Sequence, residues 1–223
     1  MFCVNCGKET ELVDSRCTHC GFDLAAVMAL LDEPDDDDME DVDDVPRSAE
    51  EIAKRALTLS AVVSCAYGAS KPDVIDWLKQ EDLWQAVTPA EQEFLEREAP
   101  EQVRCNFTWK VEALVPLLWA IGKLDGMPGV GKQCDTEPIK RAVVWPPNST
   151  GAFIRSAELR DEEEIGREYE KIYEAHWKAR DAKLNGRPVP RAISAGVVYE
   201  RHYGFNWLRG YMGQPWDEIT TDT

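Results

Sequence analysis

The sequence is poor in positive charge. Its 25 Lys and Arg face 42 Asp and Glu, a formal net of −17 over 223 residues, which argues against a nucleic-acid backbone or an anionic membrane surface as partner of the whole molecule. No apolar run approaches the roughly 18 residues of a membrane span. The opening Met-Phe-Cys-Val-Asn-Cys also lacks the basic and apolar regions of a signal peptide. A cytoplasmic protein without membrane contact is expected. Histidine is rarer still, with three in all, and none falls in an HExxH or Glu-x-x-His pattern that would fix a metal geometry. No Ser or Cys stands in the setting of an activated nucleophile. The sequence therefore leans away from an enzyme. Neither Gly (14) nor Pro (13) is in excess, and eight Trp, six Tyr and six Phe supply the bulky apolar surface of a real core.

The acidity is local. Residues 32–44 hold ten acids and no base, whereas residues 45–223 hold 23 bases against 28 acids, and residues 1–31 carry a net of only −2. A stretch reading DEPDDDDMEDVDD repels itself and has little apolar surface to offset the entropy of ordering, so residues 25–45 are expected to be an acidic, disordered linker. A calcium loop of the EF-hand type fits poorly, because Asp35 to Asp38 are consecutive and no turn glycine follows. Docking onto a basic partner needs only charge density and stays open.

The four N-terminal cysteines are the most specific motif. Cys3-Val-Asn-Cys6-Gly7 and Cys17-Thr-His-Cys20-Gly21 are two C-x2-C-G knuckles ten residues apart. Two residues between thiols let both sulfurs face one metal, and two knuckles supply the four thiolates of a closed tetrahedral site. A segment this small cannot fold on its core alone, so one structural Zn2+ per chain, held by Cys3, Cys6, Cys17 and Cys20, is expected for residues 1–24. Iron in the same four-sulfur geometry is the chemical alternative, and Lys8 to Val13 is the expected strand between the knuckles. The segment resembles the short zinc-ribbon modules at the N-terminus of many bacterial proteins. Cys65, Cys105 and Cys134 read as isolated free thiols.

From residue 46 the pattern is helical. Ser48-Ala-Glu-Glu51 is a capping box, and Ile52, Ala56, Leu59, Val62, Val63 and Ala66 follow at helical spacing, giving a helix over 49–67. Pro72 opens a shorter one through Leu78, and Thr88-Pro89-Ala90-Glu91 opens another. The apolar stretch from Glu101 to Leu124 is expected to be central and kinked at Pro116. Asp161-Glu-Glu-Glu164 starts a long helix that stops at Asn185-Gly186, with a stripe of Tyr169, Ile172, Tyr173, His176, Trp177 and Arg180. A last helix covers roughly 193–212. Residues 125–157 show no helical pattern, and Ala142 to Trp145 is the one short strand expected there. The fold class is all-α, an irregular bundle of about six helices over residues 46–223, preceded by the ribbon and the acidic linker.

Gly126-Met-Pro-Gly-Val-Gly131-Lys132 matches the G-x4-G-K part of a phosphate-binding loop. Gln133 replaces the hydroxyl residue and a helix precedes the motif where a strand is required, so a turn-rich connection is the better reading. The polar residues on apolar helices ask for more explanation. Glu112, His176, Arg180, Glu200, Arg201, His202 and Asn206 form either a buried network, with Glu112 paired to Arg180 or Arg201, or a polar pocket between helices. His202 and Asn206 share a helix face, with Tyr199 on the same side.

Gly196 to Leu208, Trp216 to Thr223, His176-Trp-Lys-Ala-Arg-Asp181, Trp109 to Leu114 with Leu118-Trp119-Ala120, and Pro46-Arg47-Ser48 together resemble a bacterial helical family known as domain of unknown function number 4272. The resemblance spans residues 46–223 and implies a helical fold without an assigned chemistry. Similar chains are more helix-like at Tyr203-Gly204-Phe205, so a local loosening of the last helix is expected here. Taken together the sequence points to a zinc-ribbon protein whose helical body is a binding module with a protein partner. Two alternatives stand beside it. One is an enzyme with a polar site in the helical core. The other is an acidic immunity or inhibitor protein against a basic partner such as a nuclease toxin. Oligomeric state is not legible.

Overall fold

The computed structural model describes residues 12–13, 16–18, 44–143 and 150–223, and the chain divides into two compact units, Met1–Val42 and Asp43–Thr223. In the first unit β1 (Leu12–Val13) and β2 (Arg16–Cys17) pair antiparallel, Leu12 opposite Cys17 and Val13 opposite Arg16. Cys3, Cys6 and Cys20 lie outside the described residues, as do the linker up to residue 43 and the Val144-Trp145 part of the expected short strand.

The second unit is helical. The capping box forms as its sequence dictates: Glu51 N–H donates to Ser48 Oγ (3.2 Å) and Ser48 N–H to Glu51 Oε2 (2.9 Å), starting α1 at Ala49–Ala66. Pro at the first positions opens α2 (Lys71–Gln80) and α3 (Pro89–Glu96). Helix α4 (Glu101–Ala120) runs on through Pro116, and every residue from Val111 to Ala120 is buried. It stops four residues short of the expected Leu124 because Gly122 turns left-handed (φ 72°) and Lys123 N–H bonds back to Leu118 O at 2.8 Å.

Two short helices occupy the stretch expected to have none: α5 (Thr136–Ala142) and α6 (Thr150–Arg155). Asp135 caps α5 by accepting from Glu137 N–H at 3.0 Å, and Lys140 and Arg141 occupy its last turn, so local end chemistry suffices for two turns too brief to show a period. Ala142, expected in a strand, ends α5 instead. Asp161 caps α7 (Glu162–Leu184), and α8 (Ala195–Arg209) ends at left-handed Gly210. The described residues thus contain eight α-helices. None of them is long and apolar enough to cross a membrane.

Helix α4 packs against both α1 and α8, and α7 against α8. The α4–α8 crossing is close because of two glycines. A Cβ at Gly204 would come within 2.5 Å of Ala113 O and 2.7 Å of Pro116 Cγ, and one at Gly196 within 2.7 Å of the Trp109 ring. The expected loosening at Tyr203-Gly204-Phe205 is therefore corrected. Gly204 lets the backbones approach, Phe205 is fully buried, and α8 is continuous there. Asp44 and Val45, assigned to the linker from sequence, belong to this unit: Met212 N–H donates to Asp44 Oδ1 (2.9 Å), and Val45 O sits where a Cβ on Gly210 would be.

Candidate functional site

The polar residues of α4 and α8 form three adjacent groups. In the first, Arg201 donates through Nε (3.0 Å) and Nη2 (2.8 Å) to Glu112 Oε2, and Cys134 N–H donates to Glu112 Oε1 (2.6 Å). Both side chains are completely enclosed. The remaining guanidinium nitrogen, Nη1, donates to Pro128 O. Of the two partners open for Glu112, the structure selects Arg201; Arg180 is exposed on α7 and joins no buried network. An enclosed ion pair is tolerable only when its remaining donors and acceptors are met, and here the Gly- and Pro-rich segment 126–134 meets them.

That settles the chemistry of the G-x4-G-K segment. Pro128 O accepts from Arg201 and Val130 O accepts from Ser194 N–H (2.8 Å), so two of its carbonyls are spent inward on the protein. A phosphate cradle needs the opposite, with amides converging on a ligand. The burial of Cys134 beside Glu112 pushes its thiol up to about 12, and burial holds Cys65 at about 11, so neither is a nucleophile at neutral pH. Cys105 is free and exposed.

The second group binds the C-terminal segment. Tyr203 Oη donates to Trp216 O, and Asn206 Nδ2 to Thr220 O at 2.8 Å. Trp216 packs edge-on against Tyr203 and Trp207 and beneath Arg55, whose Cζ lies 4.8 Å from the ring centre. Arg55 also pairs with Glu91 and donates to Ala86 O (3.0 Å). This second buried ion pair went unnoticed in the sequence, since Glu91 reads as a surface capping residue. The available signal was Arg55 itself, between Ile52 and Leu59 on a helix that buries most of its residues.

The third group is a pair of histidines. His176 on α7 and His202 on α8 meet Nδ1 to Nδ1 at 2.9 Å, and His202 Nε2 lies 3.5 Å from Tyr169 Oη. One Nδ1 must donate and the other accept, so the two rings cannot both be protonated, and when both are neutral one proton lies between them. Burial pushes His202 down to about 4, helped by His176, and burial lowers His176, helped by Arg180. If His176 donates, its Nε2 is a bare acceptor; if His202 donates, the same Nε2 carries a proton. Burial raises Glu200, and Lys110 at 3.0 Å opposes that shift. Among the described residues no three His, Cys, Asp or Glu stand close enough to hold a metal, so His176 and His202 are not joined by a carboxylate into a metal centre there.

The α7 stripe is rotated from its expected position. Ile165, Ile172, Ala175, His176, Ala179 and Ala182 are buried, while Trp177 (49% exposed), Tyr173 (38%) and Arg180 face out. Tyr199, expected on the same side as His202, is 42% exposed. Small alanines let α7 lie close to α8, and the aromatics are displaced to the rim, where Tyr199 and Tyr173 meet the two imidazoles edge-on at 5.8 and 5.5 Å. A cleft of 360 Å³ opens here, lined by Trp109, His176, Arg180, Lys183, Tyr199 and Glu200. A larger groove of 630 Å³ between α1, α4 and α5 is lined mainly by apolar residues such as Val63, Val111, Leu114 and Ile139; its Ser60 and Ser64 hydroxyls bond back to their own helix.

A family model described as Domain of unknown function (DUF4272) matches residues 23–219. The match includes the acidic run and leaves the four clustered cysteines outside it. No curated protein and no solved structure matches the chain.

Proposed function

Given that the chain belongs to the family described as Domain of unknown function (DUF4272), we propose that it is a zinc-ribbon protein whose helical body is a binding module for a protein partner. The observation that carries this reading is the partition of the polar and aromatic residues. Glu112, Arg201, Arg55, Glu91, Tyr203 and Asn206 bond to one another and to backbone, with buried Arg55 Nε and Asn206 Oδ1 left unbonded, while three large aromatics, Tyr173, Trp177 and Tyr199, stay exposed around His176. Exposed aromatics grouped on one face are the composition of an interface centre rather than of ordinary surface. The enzyme reading has less support, because Glu112 lies behind Arg201 and away from the cleft that His176 and Arg180 share.

The ribbon half rests on the donor set. Four thiolates are the complement of a closed structural zinc site, the β1–β2 pairing joins the stretch between the knuckles to Cys17, and the family match begins only after the second knuckle. Bound there, zinc would supply folding energy to the ribbon.

The binding face is tested by placing a photo-crosslinking amino acid at Trp177 and, as control, at exposed Lys54 on α1. A discrete protein adduct from position 177 and none from position 54 is expected in the native lysate. Equal labelling at both positions, or no adduct at 177, refutes the reading.

A further inference from the structure

We propose that the cleft between α4, α7 and α8 is a binding site for a small aromatic anion, its carboxylate or phosphate held by Arg180 and Lys183 and a polar atom met by His176 Nε2. This goes beyond the protein-binding role and stands without it. The His176 ring is more than nine-tenths buried (8% exposed) and its Nδ1 is committed inward to His202. Its Nε2 makes no hydrogen bond and is not among the enclosed unbonded atoms, and His176 belongs to the lining of the cleft. Fixing a ring so that one nitrogen faces solvent costs side-chain freedom that packing alone does not require. The internal bond holds in either tautomer of the neutral pair, His176 Nδ1–H with a bare Nε2 or His202 Nδ1–H with the His176 proton on Nε2, so that nitrogen can accept from a ligand in the first tautomer and donate to it in the second.

The charge at the mouth identifies the ligand's sign. On α7, Arg167, Lys171 and Lys178 each pair with a glutamate three or four residues before them. Arg180 and Lys183, the two that line the cleft, have no ion pair among the described residues; Arg180 reaches only Thr223 Oγ1 at 3.4 Å. At their i−4 and i−3 positions stand His176, Trp177, Ala179 and Arg180, so the helix supplies them no acid. Glu200 on the inner wall is neutralised by Lys110. Arg180 and Lys183 thus bring to the cleft two cations that have no ion pair among the described residues, beside the Lys110–Glu200 pair of the inner wall and with Asp222 near enough to act on His202. The first residues of α8, Ala195 and Gly196, line the same cleft, and Ser194 caps none of their amides with its side chain, which adds the positive end of the helix.

The shape identifies the rest. A volume of 360 Å³ exceeds what a bare oxyanion fills and lies at the lower end of small-molecule pockets. Two of its walls are the Trp109 ring, which rests on the bare backbone of Gly196, and Tyr199. Aromatic walls suit a planar ring.

The full chain at neutral pH is titrated with phenyl phosphate, benzoate, inorganic phosphate and benzylamine while the His176 ring and Trp109 indole resonances are followed by NMR. Saturable shifts with phenyl phosphate or benzoate are expected, and whichever saturates first names the head group. Inorganic phosphate should bind more weakly and benzylamine should not compete. Arg180→Gln and Lys183→Gln, both at exposed positions, should each weaken binding by about fivefold with unchanged circular dichroism. The proposal fails if neither aromatic anion saturates at millimolar concentration, if inorganic phosphate or benzylamine binds as tightly, or if the two variants keep wild-type affinity.

Discussion

Removing one side of the Glu112–Arg201 pair should destabilise the helical body far more than removing both. Each side chain is completely enclosed, so Arg201→Met leaves a buried carboxylate with Cys134 N–H as its remaining partner, and Glu112→Leu leaves a buried guanidinium with only Pro128 O. Breaking a buried pair from one side typically costs about 3–5 kcal/mol, whereas replacing the whole pair by apolar groups is often close to neutral. In a domain of this size about 3 kcal/mol lowers the melting temperature by roughly 6–12 °C. Each single variant is therefore expected to lose about 3 kcal/mol or more in urea denaturation followed by circular dichroism, and Glu112→Leu/Arg201→Met clearly less than the sum. Because both residues hold segment 126–134, hydrogen exchange at Cys134 N–H should speed up in the singles before the global transition. Singles within about 1 kcal/mol of wild type, or a double variant equal to their sum, would refute the reasoning that this pair is a lock closed on both sides.

The histidine pair makes stability depend on pH in a defined direction. Both imidazoles are depressed in the folded state, His202 from 6.5 to about 4, so the unfolded chain binds more protons across that window and stability falls as pH drops from 6.5 towards 4. For His202 the loss over the window approaches about 3 kcal/mol, and urea midpoints of His202→Asn should show a shallower pH slope than wild type; an unchanged slope contradicts the shared-proton geometry. The two glycines with opposite surroundings should respond oppositely. Gly204→Ala drives a methyl against Ala113 O and should cost about 1–3 kcal/mol. Gly166→Ala on α7, with nothing within 4 Å, should gain roughly 0.5–1 kcal/mol. Thermal melts of the two variants moving the same way contradict this packing.

Helix starts were legible because their chemistry is local. Ser48 with Glu51, Thr88 with Pro89 and Glu91, and Asp161 each satisfy amides within three residues, so the sequence alone contains the whole interaction. The stripe of α7 was not legible in this way. Trp177 and Tyr173 outweigh alanine on any hydrophobic scale, yet Ala175, Ala179 and Ala182 are buried because α7 needs small residues to lie near α8. That choice depends on a partner helix that the local sequence does not contain. The same applies to Arg55 and Glu91, 36 residues apart, and to Arg201, which the sequence could not separate from Arg180 as the partner of Glu112. Helices α5 and α6 escaped for a different reason: seven and six residues are too few for an apolar period to show.

The central claim is that the helical body stands on its own buried pairs while the cysteines hold a separate metal module. The most direct test is the thermal melt of the purified chain before and after a chelator strips its metal, with zinc counted in both samples. One zinc per chain beforehand, none afterwards, and a helical transition displaced by no more than about 2 °C are predicted. A chain that carries no zinc as purified, or a helical body that unfolds when the metal leaves, would contradict it.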